Sequence, residues 1–564
     1  MMKRHHAADL PASSGGEMHA GTGKAACKLD KGRSTSSCPR LCCLLVLCTT
    51  VSMLVIHCYD YGHADTGVEH GRSSSSSPLH GIRKMSSISA KPANNGDRIR
   101  GDLCAGRYVY VQELPPHFNS DMARDCEALS EWTEAGKCKH TANGGFGPPQ
   151  PSSGVEETVL FQGQETGGWY DTEEHALDII FHDRVKRYEC LTADSSLASA
   201  VFVPFYAGLD VARHLPGKGR YHVATRDEMA LAMVEFVTAR PEWRALGGRD
   251  HFFVAGRGTW DFRRSQDDGG GWGNKLFLLP AVRNMTALVV EASPWHLNDA
   301  AVPYPTGFHP TTDEHVFLWQ HRLRELKRQS LFAFFVSGAP QGTEEDPKSV
   351  SSHLVKQCAA SSACSLVRDE DSSPAAAGIM KLYQSSTFCL HPRGGAGDAY
   401  TRRSIFDAIL AGCIPVFFHP GTAYVQYTWH LPRDHARYSV YIPEEDVLRA
   451  GAGNNNASSS SSVEETLRKI PPDAVERMRA AVVELIPTVI YADTSSRLEA
   501  SSVPDAFDVA VEAVIKKVTK LRKDLVEGRA EDEKLGKFGW KYPLLGEGHK
   551  VEDPHEWDSL FAYN

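Results

Sequence analysis

Residues Ser385–Tyr441 read SSTFCLHPRGGAGDAYTRRSIFDAILAGCIPVFFHPGTAYVQYTWHLPRDHARYSVY. A short apolar run, Thr387–Leu390, leads into a loop with three glycines. A helical pattern over Tyr400–Leu410 and a second apolar run, Cys413–Phe418, follow. This order of strand, glycine-rich turn, helix and strand is typical of one half of a nucleotide-binding α/β sheet. It also fits an ordinary Rossmann-like unit with a surface helix and no nucleotide. The pattern alone does not distinguish these two interpretations, so we consider the side chains around the turn.

Those side chains favour a nucleotide-sugar site. Arg402 and Arg403 fall in the predicted first turn of the helix, where unpaired backbone N–H groups and the helix dipole attract an anion. Asp407 follows one turn later and is predicted to bind a ribose hydroxyl; the alternative is an ion pair with Arg403 on the same helix face. The predicted donor-binding residues are Arg393, Thr401, Arg402, Arg403, Ser404 and Asp407.

The composition is that of a globular protein with tails. The chain has 564 residues, of which 41% are hydrophobic, and a formal net charge of -9. This length suggests two or three folding units, and the charge argues against a nucleic-acid partner. An even number of cysteines in the body fits disulfides in an oxidising compartment, although the sequence does not give their pairing. These cysteines are Cys104, Cys126, Cys138, Cys190, Cys358, Cys364, Cys389 and Cys413.

The N-terminal region predicts a membrane anchor. Leu41–Tyr59 contains no Asp, Glu, Lys or Arg and follows a basic leader, which is typical of a membrane helix with a cytosolic N-terminus. A cleaved signal peptide is the alternative, but the long leader and the lack of an A-x-A site favour the anchor. We expect a cytosolic tail at 1–40, the anchor at 41–59 and a flexible stem at 60–101. Sequons at Asn284 and Asn456 agree with a lumenal body.

Strand-like runs alternate with helical patterns through the body, as in α/β proteins. We expect an N-terminal Rossmann-like acceptor domain at 102–326, a C-terminal nucleotide-sugar-binding domain at 327–525 and a tail at 526–564. The main predicted strands are Tyr108–Val111, Ala200–Tyr206, His251–Ala255, Leu288–Val290 and Leu331–Val336, and the main predicted helices are Trp169–Tyr188 and Asp505–Leu525.

Several motifs resemble the exostosin family of inverting glycosyltransferases. They are CAGRYVY at 104–110, VPFYAGLD at 203–210, WDFRR at 260–264, PYPT at 303–306 and the long run TRRSIFDAILAGCIPVFFHPGTAYVQYTWHLP at 401–432. The likeness extends from about Cys104 to about Lys520. The long run is similar to the plant branch that contains the xyloglucan galactosyltransferases.

This resemblance implies a GT-B fold, in which two Rossmann-like domains face each other across a cleft, and membership of family 47. It implies a Golgi type II membrane enzyme that moves galactose with inversion from UDP-galactose onto xylosyl side chains of xyloglucan. The alternatives are another UDP-sugar such as UDP-galacturonic acid, another wall polysaccharide, or a catalytically silent glycan-binding scaffold. The expected partners are the UDP-sugar, the polysaccharide acceptor, the Golgi membrane and other Golgi glycosyltransferases.

An inverting transferase needs a base for the acceptor hydroxyl and stabilisation of the leaving UDP. Arg402 and Arg403 supply the second, so we expect neither metal nor cofactor. The base is expected at a strand end of the N-terminal half, where Asp210, Asp261 and Glu113 are the open candidates. Each candidate has an alternative role as a helix cap or as the partner of an arginine.

Aromatic side chains predict the acceptor groove. Trp295, Tyr304 and Trp429 present flat rings that suit sugar faces, although burial in the core is the alternative. The acidic run Asp369–Asp371 resembles a metal-binding DxD, but its polar surroundings favour a surface charge run.

Two departures from the branch stand out. The turn His391–Asp398 is longer than usual where the diphosphate is expected to bind, and Arg368–Ala377 lacks an expected cysteine, which predicts one missing disulfide.

Overall fold

A computed structural model describes most of the body of the chain. The described residues are 102–128, 136–150, 168–214, 221–264, 271–293, 296, 298–336, 348–368, 376–394, 399–451, 461–495 and 503–528. The predicted tail, anchor and stem, the acidic run at 369–371, Trp295, Asn456 and nearly all of the C-terminal tail lie outside these ranges. Among the described residues, no helix combines the length and the apolar character needed to cross a membrane.

The N-terminal half contains a six-stranded sheet. Its strands are β1 (Val109–Val111), β2 (Leu191–Thr192), β3 (Ala200–Phe202), β4 (His251–Gly258), β5 (Thr286–Glu291) and β6 (Asp299–Ala301). Their order is β2-β1-β3-β4-β5-β6, and each described pair is parallel. Every residue of β5 is buried and its four central residues are apolar, as expected for a parallel sheet covered on both faces.

The C-terminal half contains a second parallel sheet of five strands. These are β7 (Ser330–Val336), β8 (Cys364–Arg368), β9 (Ser386–His391), β10 (Ile414–Phe417) and β11 (Val440–Tyr441), in the order β11-β10-β9-β7-β8. The order reverses between β7 and β9, and ligands of open α/β sheets bind beyond the carboxyl ends of the strands at such a point. The glycine-rich turn follows β9 and therefore lies at this position.

Helices cover the two sheets. They are α1 (Ser120–Arg124), α2 (Leu177–Val185), α3 (Ala207–Ala212), α4 (Val223–Thr238), α5 (Pro241–Leu246), α6 (Asp313–Glu325), α7 (Val350–Ala359), α8 (Ala376–Ser385), α9 (Ser404–Leu410), α10 (Glu444–Gly451), α11 (Val463–Arg468), α12 (Pro472–Glu484), α13 (Ile486–Val489) and α14 (Ala506–Val526). The last helix begins with a capping box in which Asp505 and Asp508 bond each other's backbone N–H groups.

Helix α14 returns the chain to the N-terminal half. Phe507 packs on Phe181 of α2, with ring centroids 4.8 Å apart. The buried guanidinium of Arg184 on α2 bonds Asp505 at 3.1 Å. Arg522, near the other end of α14, donates to the carbonyl of Ala198 just before β3. Helix α14 was assigned by sequence to the C-terminal domain, and the structure packs it against the N-terminal sheet.

A strand is present at each predicted position, but the predicted strand Ala200–Tyr206 was too long, since β3 ends at Phe202, and one helix prediction was also too long. The predicted helix Trp169–Tyr188 begins at Leu177, because Trp169 and Tyr170 form bridges with Phe308 and Pro149 instead. A positive φ of 101° at Gly168 turns the chain into these bridges.

Four disulfides join the cysteines of the described body: Cys104–Cys190, Cys126–Cys138, Cys358–Cys364 and Cys389–Cys413. Cys364, which precedes the stretch without the expected cysteine, pairs with Cys358, and the prediction that one disulfide of the branch is missing stays a prediction. The pair Cys389–Cys413 links β9 to the residue before β10 and so closes the chain segment that carries the predicted donor site.

Candidate active site

The two halves of the body meet at the carboxyl end of β5. Gln426 forms a two-way bond with the backbone of Ala292, accepting from its N–H at 2.8 Å and donating to its carbonyl at 3.1 Å. The hydroxyl of Tyr427 donates to the carbonyl of Val290 at 2.8 Å. These buried bonds fix the end of β5 against the C-terminal half, so the edges of the two sheets that bind ligands in α/β folds face each other.

Glu291, the last residue of β5, is completely buried in this contact. One carboxylate oxygen accepts from the indole of Trp260 at 3.0 Å and from the backbone N–H of Tyr400 at 3.1 Å. The other accepts from the backbone N–H and the hydroxyl of Thr401, both at 3.3 Å. Burial raises the pKa of Glu291, and these hydrogen bonds oppose that shift by stabilising the charged form.

Glu291 was not among the predicted site residues. The sequence signal for Glu291 is a lone acidic residue directly after the apolar run Leu288–Val290, and the prediction did not use it. One prediction needs correction: helix α9 begins at Ser404, so Arg402 precedes the helix and Arg403 caps it rather than both lying in the first turn. Glu291 accepts from the backbone N–H groups of Tyr400 and Thr401, directly before these arginines. We call Tyr400–Arg403 the donor segment.

Arg403 and Asp407 form the ion pair that the sequence offered as the alternative to ribose binding. Their Nε and Oδ2 atoms lie 3.4 Å apart, and both side chains are largely buried. Arg403 also donates from Nη1 to the carbonyl of Thr172 in the N-terminal half, at 2.5 Å. Burial raises the pKa of Asp407, against the opposing charge of Arg403. The ion pair leaves the second carboxylate oxygen of Asp407 for a hydroxyl ligand, and the ribose role stays a prediction.

The other predicted donor residues surround this pair. Arg402 is partly buried next to it. The hydroxyl of Ser404 lies 3.4 Å from Nδ1 of His391 at the end of β9. Arg393 instead pairs with Glu444, with Nε and Oε1 2.8 Å apart, and its side chain is 39% exposed. Arg393 is therefore paired, as Arg403 is, but its side chain is more exposed than the 20% of Arg403.

The segment Thr172–His175 belongs to the N-terminal half and contacts the donor segment through the bond from Arg403 to the carbonyl of Thr172. Glu173, Glu174 and His175 offer ligand atoms that all lie within 4.8 Å of one another, which is the spacing a metal ion would require. Glu173 is already engaged by Lys137 at 2.9 Å and by His175 at 3.3 Å. Burial alone would raise the pKa of Glu173. Its hydrogen bonds and ion pairs with His175 and Lys137 outweigh burial and hold this pKa well below its usual range. The expected independence from metal stays a prediction.

The three candidate bases occupy different environments. Asp210 on α3 is completely buried and pairs with Arg213, and burial raises the pKa of Asp210 to about 6. Asp261 follows β4, accepts from the indole of Trp272 at 2.5 Å and pairs with Arg257 at 3.6 Å; its side chain is 17% exposed. Glu113 is exposed beyond β1. All three follow strands of the N-terminal sheet, but only Asp261 is adjacent in sequence to Trp260, which bonds Glu291.

The described aromatic candidates are less open than an acceptor groove requires. Tyr304 is 6% exposed, with its hydroxyl 3.5 Å from that of Thr401. Trp429 is partly buried against the core. In this conformation both rings pack within the protein, so their acceptor roles stay predictions.

Two Rossmann-like halves that present a donor segment and buried carboxylates at a common cleft define a GT-B glycosyltransferase. The sequence model of the exostosin GT47 domain matches residues 103–455. The chain therefore belongs to the exostosin GT47 family and is a glycosyltransferase.

Individual relatives agree with that family. The chain is 50% identical over 467 residues to xyloglucan galactosyltransferase MUR3 of Arabidopsis thaliana, which covers 82% of this chain and 71% of the relative. It is 36% identical over 428 residues to xyloglucan-specific galacturonosyltransferase 1 of Arabidopsis thaliana, covering 75% of this chain and 59% of the relative. Among solved structures, spinosyn rhamnosyltransferase SpnG complexed with thymidine diphosphate is 12% identical and covers 73% of this chain and 100% of its own. Its TM-score of 0.26 is too low to support an argument.

Proposed function

We propose that this protein is a Golgi type II membrane enzyme that transfers galactose, with inversion, from UDP-galactose onto xylosyl side chains of xyloglucan. The observation that carries the proposal is the 50% identity over 467 residues to a xyloglucan galactosyltransferase. The contact between the donor segment and the end of β5 supports it, because it places cationic side chains at the cleft where a nucleotide-sugar would bind.

The leaving UDP is stabilised by Arg402 and Arg403. Guanidinium groups bind phosphate through paired N–H donors and keep their charge at every physiological pH. Fixed cations at the cleft stabilise the negative charge that develops on UDP without a rearrangement during the reaction. In this proposal no metal ion is needed for that step.

We assign the base to Asp261, because position is considered before pKa in choosing a base. Both carboxylates are paired with an arginine, Asp210 with Arg213 and Asp261 with Arg257 at 3.6 Å, but the Asp261 side chain is 17% exposed whereas that of Asp210 is enclosed. Trp260, beside Asp261, bonds the carboxylate that holds the donor segment, and Asp210, despite a pKa raised toward neutrality, has no such neighbour in the chain. During the reaction the base takes the proton of the xylosyl hydroxyl, whose oxygen attacks the anomeric carbon of galactose as the bond to UDP breaks.

The Golgi location is supported by the chemistry of the body. Paired cysteines form in oxidising compartments, and four pairs occur in the described residues. Asn284 of the first sequon lies at the surface, as a glycan-bearing residue must, while Met285 and Thr286 of the same sequon are buried. The predicted anchor at 41–59 would hold this body at the membrane.

A galacturonic acid donor is the second candidate. It is favoured by the 36% identity to a galacturonosyltransferase that is named as specific for xyloglucan. That candidate keeps the fold and the acceptor and changes only the group at C6 of the donor sugar from a hydroxymethyl to a carboxylate.

The test uses the full chain, produced in a secretory host and purified in detergent. It is incubated with UDP-galactose or UDP-galacturonic acid and with xylosylated glucan oligosaccharides, and the products are weighed by mass spectrometry. Addition of a hexose from UDP-galactose is the expected result, and the double variant of Arg402→Ala with Arg403→Ala is the inactive control. Addition of a uronic acid alone would replace the proposal with the second candidate.

A further inference from the structure

Trp272 is an exposed aromatic residue in contact with the proposed base. It is 44% exposed, and its indole Nε1–H donates to Oδ1 of Asp261 at 2.5 Å. Trp260, directly before Asp261, bonds the carboxylate of Glu291 at 3.0 Å. Glu291 in turn accepts from the backbone of the donor segment. The indole of Trp272 therefore touches the carboxylate that is assigned to the acceptor hydroxyl, and hydrogen bonds continue from there to the donor segment.

The backbone on both sides of Trp272 is fixed by buried arginines. Arg226 donates from Nη1 to the carbonyls of Gly271 and Gly273, at 2.6 and 3.3 Å. Arg264 donates to the carbonyl of Gly273 at 2.8 Å. Gly273 also has a positive φ of 68°, which other residues rarely adopt. Because its flanking residues are held, Trp272 presents its ring in a defined place, and a ligand that binds there orders little of the protein.

The aromatic residues that the sequence predicted for the acceptor groove do not offer such a ring. Of those that the structure describes, Tyr304 is 6% exposed and Trp429 is partly buried against the core. Trp272 combines exposure with a contact to the proposed base. An indole face left in water loses hydrophobic free energy that the C–H face of a sugar ring would restore.

We propose that Trp272 is the acceptor platform: its indole face stacks on the xylosyl ring whose hydroxyl meets Asp261. This inference rests on the proposed function, because it takes Asp261 as the base and a xylosylated glucan as the acceptor. It extends that function by naming the side chain that holds the sugar ring during attack.

The two oxygens of Asp261 divide the work. Oδ1 accepts from the indole of Trp272. Oδ2 lies 3.6 Å from Nη1 of Arg257, which is beyond hydrogen-bond distance, and so can accept from the acceptor hydroxyl. A sugar that brings its hydroxyl to Oδ2 lies beside the indole that holds Oδ1. One tryptophan thus orients both the carboxylate and the sugar, as positioning of reactants requires.

The alternative is that the indole only holds Asp261, and this role uses a different part of the side chain. Stacking uses the ring face, whereas holding the carboxylate uses the N–H. Trp272→Phe keeps an aromatic face and removes the N–H. Trp272→Gln removes the face and keeps an N–H donor, which is the same number of bonds from the backbone as the indole nitrogen. Because the position is exposed, both variants should fold.

The test measures acceptor binding by calorimetry with the full chain saturated with UDP. The probes are a xylosylated glucan oligosaccharide and an unbranched glucan oligosaccharide. The matched control is Phe317→Gln, which removes a 52% exposed ring from α6. Trp272→Gln should weaken binding of the xylosylated oligosaccharide about tenfold, and Trp272→Phe should stay within about threefold of the wild type. The control should bind as the wild type does, the affinity for UDP should not change in any variant, and the unbranched oligosaccharide should bind weakly to all.

Initial rates give a second measurement on the same variants. Trp272→Gln should raise the KM for the acceptor about tenfold and leave the KM for UDP-galactose unchanged, because the stacked ring belongs to the acceptor alone.

The outcomes separate this inference from the proposed function. Wild-type acceptor affinity in Trp272→Gln overturns the acceptor platform, and galactose transfer by the wild type would still support the proposed function. Equal losses in Trp272→Phe and Trp272→Gln overturn stacking and reduce the indole to a hydrogen-bond donor for Asp261. Binding of the xylosylated oligosaccharide that depends on Trp272, without transfer from UDP-galactose, keeps the platform and rejects the proposed function. A wild type that does not bind the xylosylated oligosaccharide overturns both.

Discussion

The carboxylate of Glu291 accepts from the backbone N–H and the hydroxyl of Thr401 and so joins the two halves of the body directly before Arg402 and Arg403. These residues are separated by 110 positions, and their two hydrogen bonds measure 3.3 Å each. Because Glu291 also holds Tyr400, two consecutive backbone N–H groups are fixed by one side chain. The position of Arg402 and Arg403 at the cleft thus depends on a residue of the other sheet.

Replacing Glu291 by Gln should therefore weaken binding of the UDP-sugar more than it slows the transfer step. The amide would turn an NH₂ group toward either Trp260 and Tyr400 or Thr401, all of which are donors. We expect the KM for the UDP-sugar to rise about tenfold with a smaller change in kcat, as measured by initial rates. Glu291→Ala should also lower the free energy of unfolding by about 3 kcal/mol, because buried donors lose their acceptor. An unchanged KM in Glu291→Gln would show that the contact does not position the donor segment.

The arginines should differ in their effect on nucleotide affinity. Arg402→Ala and Arg403→Ala should each weaken UDP binding about tenfold or more, because each removes a charge-assisted contact to phosphate. Arg393→Ala should have a smaller effect, since that side chain is 39% exposed against 20% for Arg403, and solvent weakens its attraction for phosphate. Calorimetry with UDP measures all three, with Arg449→Ala in an exposed ion pair as the control. A loss in Arg393→Ala as large as in Arg403→Ala would move the diphosphate toward the turn after β9.

The assignment of the base is tested by the kinetics of three variants. Asp261→Asn should lower kcat about 100-fold or more and leave UDP affinity unchanged, as loss of a general base does. Glu113→Gln should stay within about twofold of the wild type, because an exposed carboxylate beyond β1 has no contact with the donor segment. A larger kcat loss in Asp210→Asn than in Asp261→Asn would transfer the role to Asp210.

Asp210 should instead affect how the free energy of unfolding depends on pH. Burial raises the pKa of this carboxyl to about 6 from an ordinary value of 3.8, so the folded protein holds its proton more tightly than the unfolded chain. The stability that Asp210 contributes is therefore present below about pH 4 and lost as the pH rises through about 6. Relative to wild type, Asp210→Asn should gain roughly 2–3 kcal/mol between pH 4 and 7 in denaturant titrations. A difference that is flat over this range would contradict the buried, proton-holding carboxyl.

How far the sequence predicts this molecule depends on whether a feature is local. The strands β5 and β9 were found because apolar runs bounded by turn residues report burial directly. The start of α9 was placed too early by the helical pattern, and the bond from Tyr400 to Glu291 across 109 residues left no local signal in the sequence. The bond of Arg403 to Thr172, across 231 residues, could not be predicted from the sequence either. Local patterns give elements, whereas a site between two domains is made by contacts that no window of the sequence contains.

The disulfide Cys389–Cys413 should matter for the donor site in particular. The two cysteines are 24 positions apart, and the segment between them includes the donor segment and α9. Both cysteines are buried. Replacing both cysteines by Ala should lower the free energy of unfolding by about 3 kcal/mol, as the unfolded chain gains freedom. Cys104–Cys190, at the start of the body, is the matched control; its removal should cost stability without changing UDP affinity in the folded protein. Equal affinities in both variants would show that the enclosed loop holds its shape without the bond.

Removal of metal ions tests how the charge of UDP is balanced. If Arg402 and Arg403 carry that charge, treatment with EDTA should leave the transfer rate within about twofold of the untreated enzyme, and added Mn²⁺ should not raise it. The segment Glu173–His175 is where a contrary result would act, since its ligand atoms have the spacing that a cation needs. Loss of activity in EDTA that is restored by Mn²⁺ would contradict the arginine mechanism, and Glu173→Gln would then abolish the restoration. Activity that survives EDTA but falls in Arg403→Ala would place the balancing charge on the guanidinium groups alone.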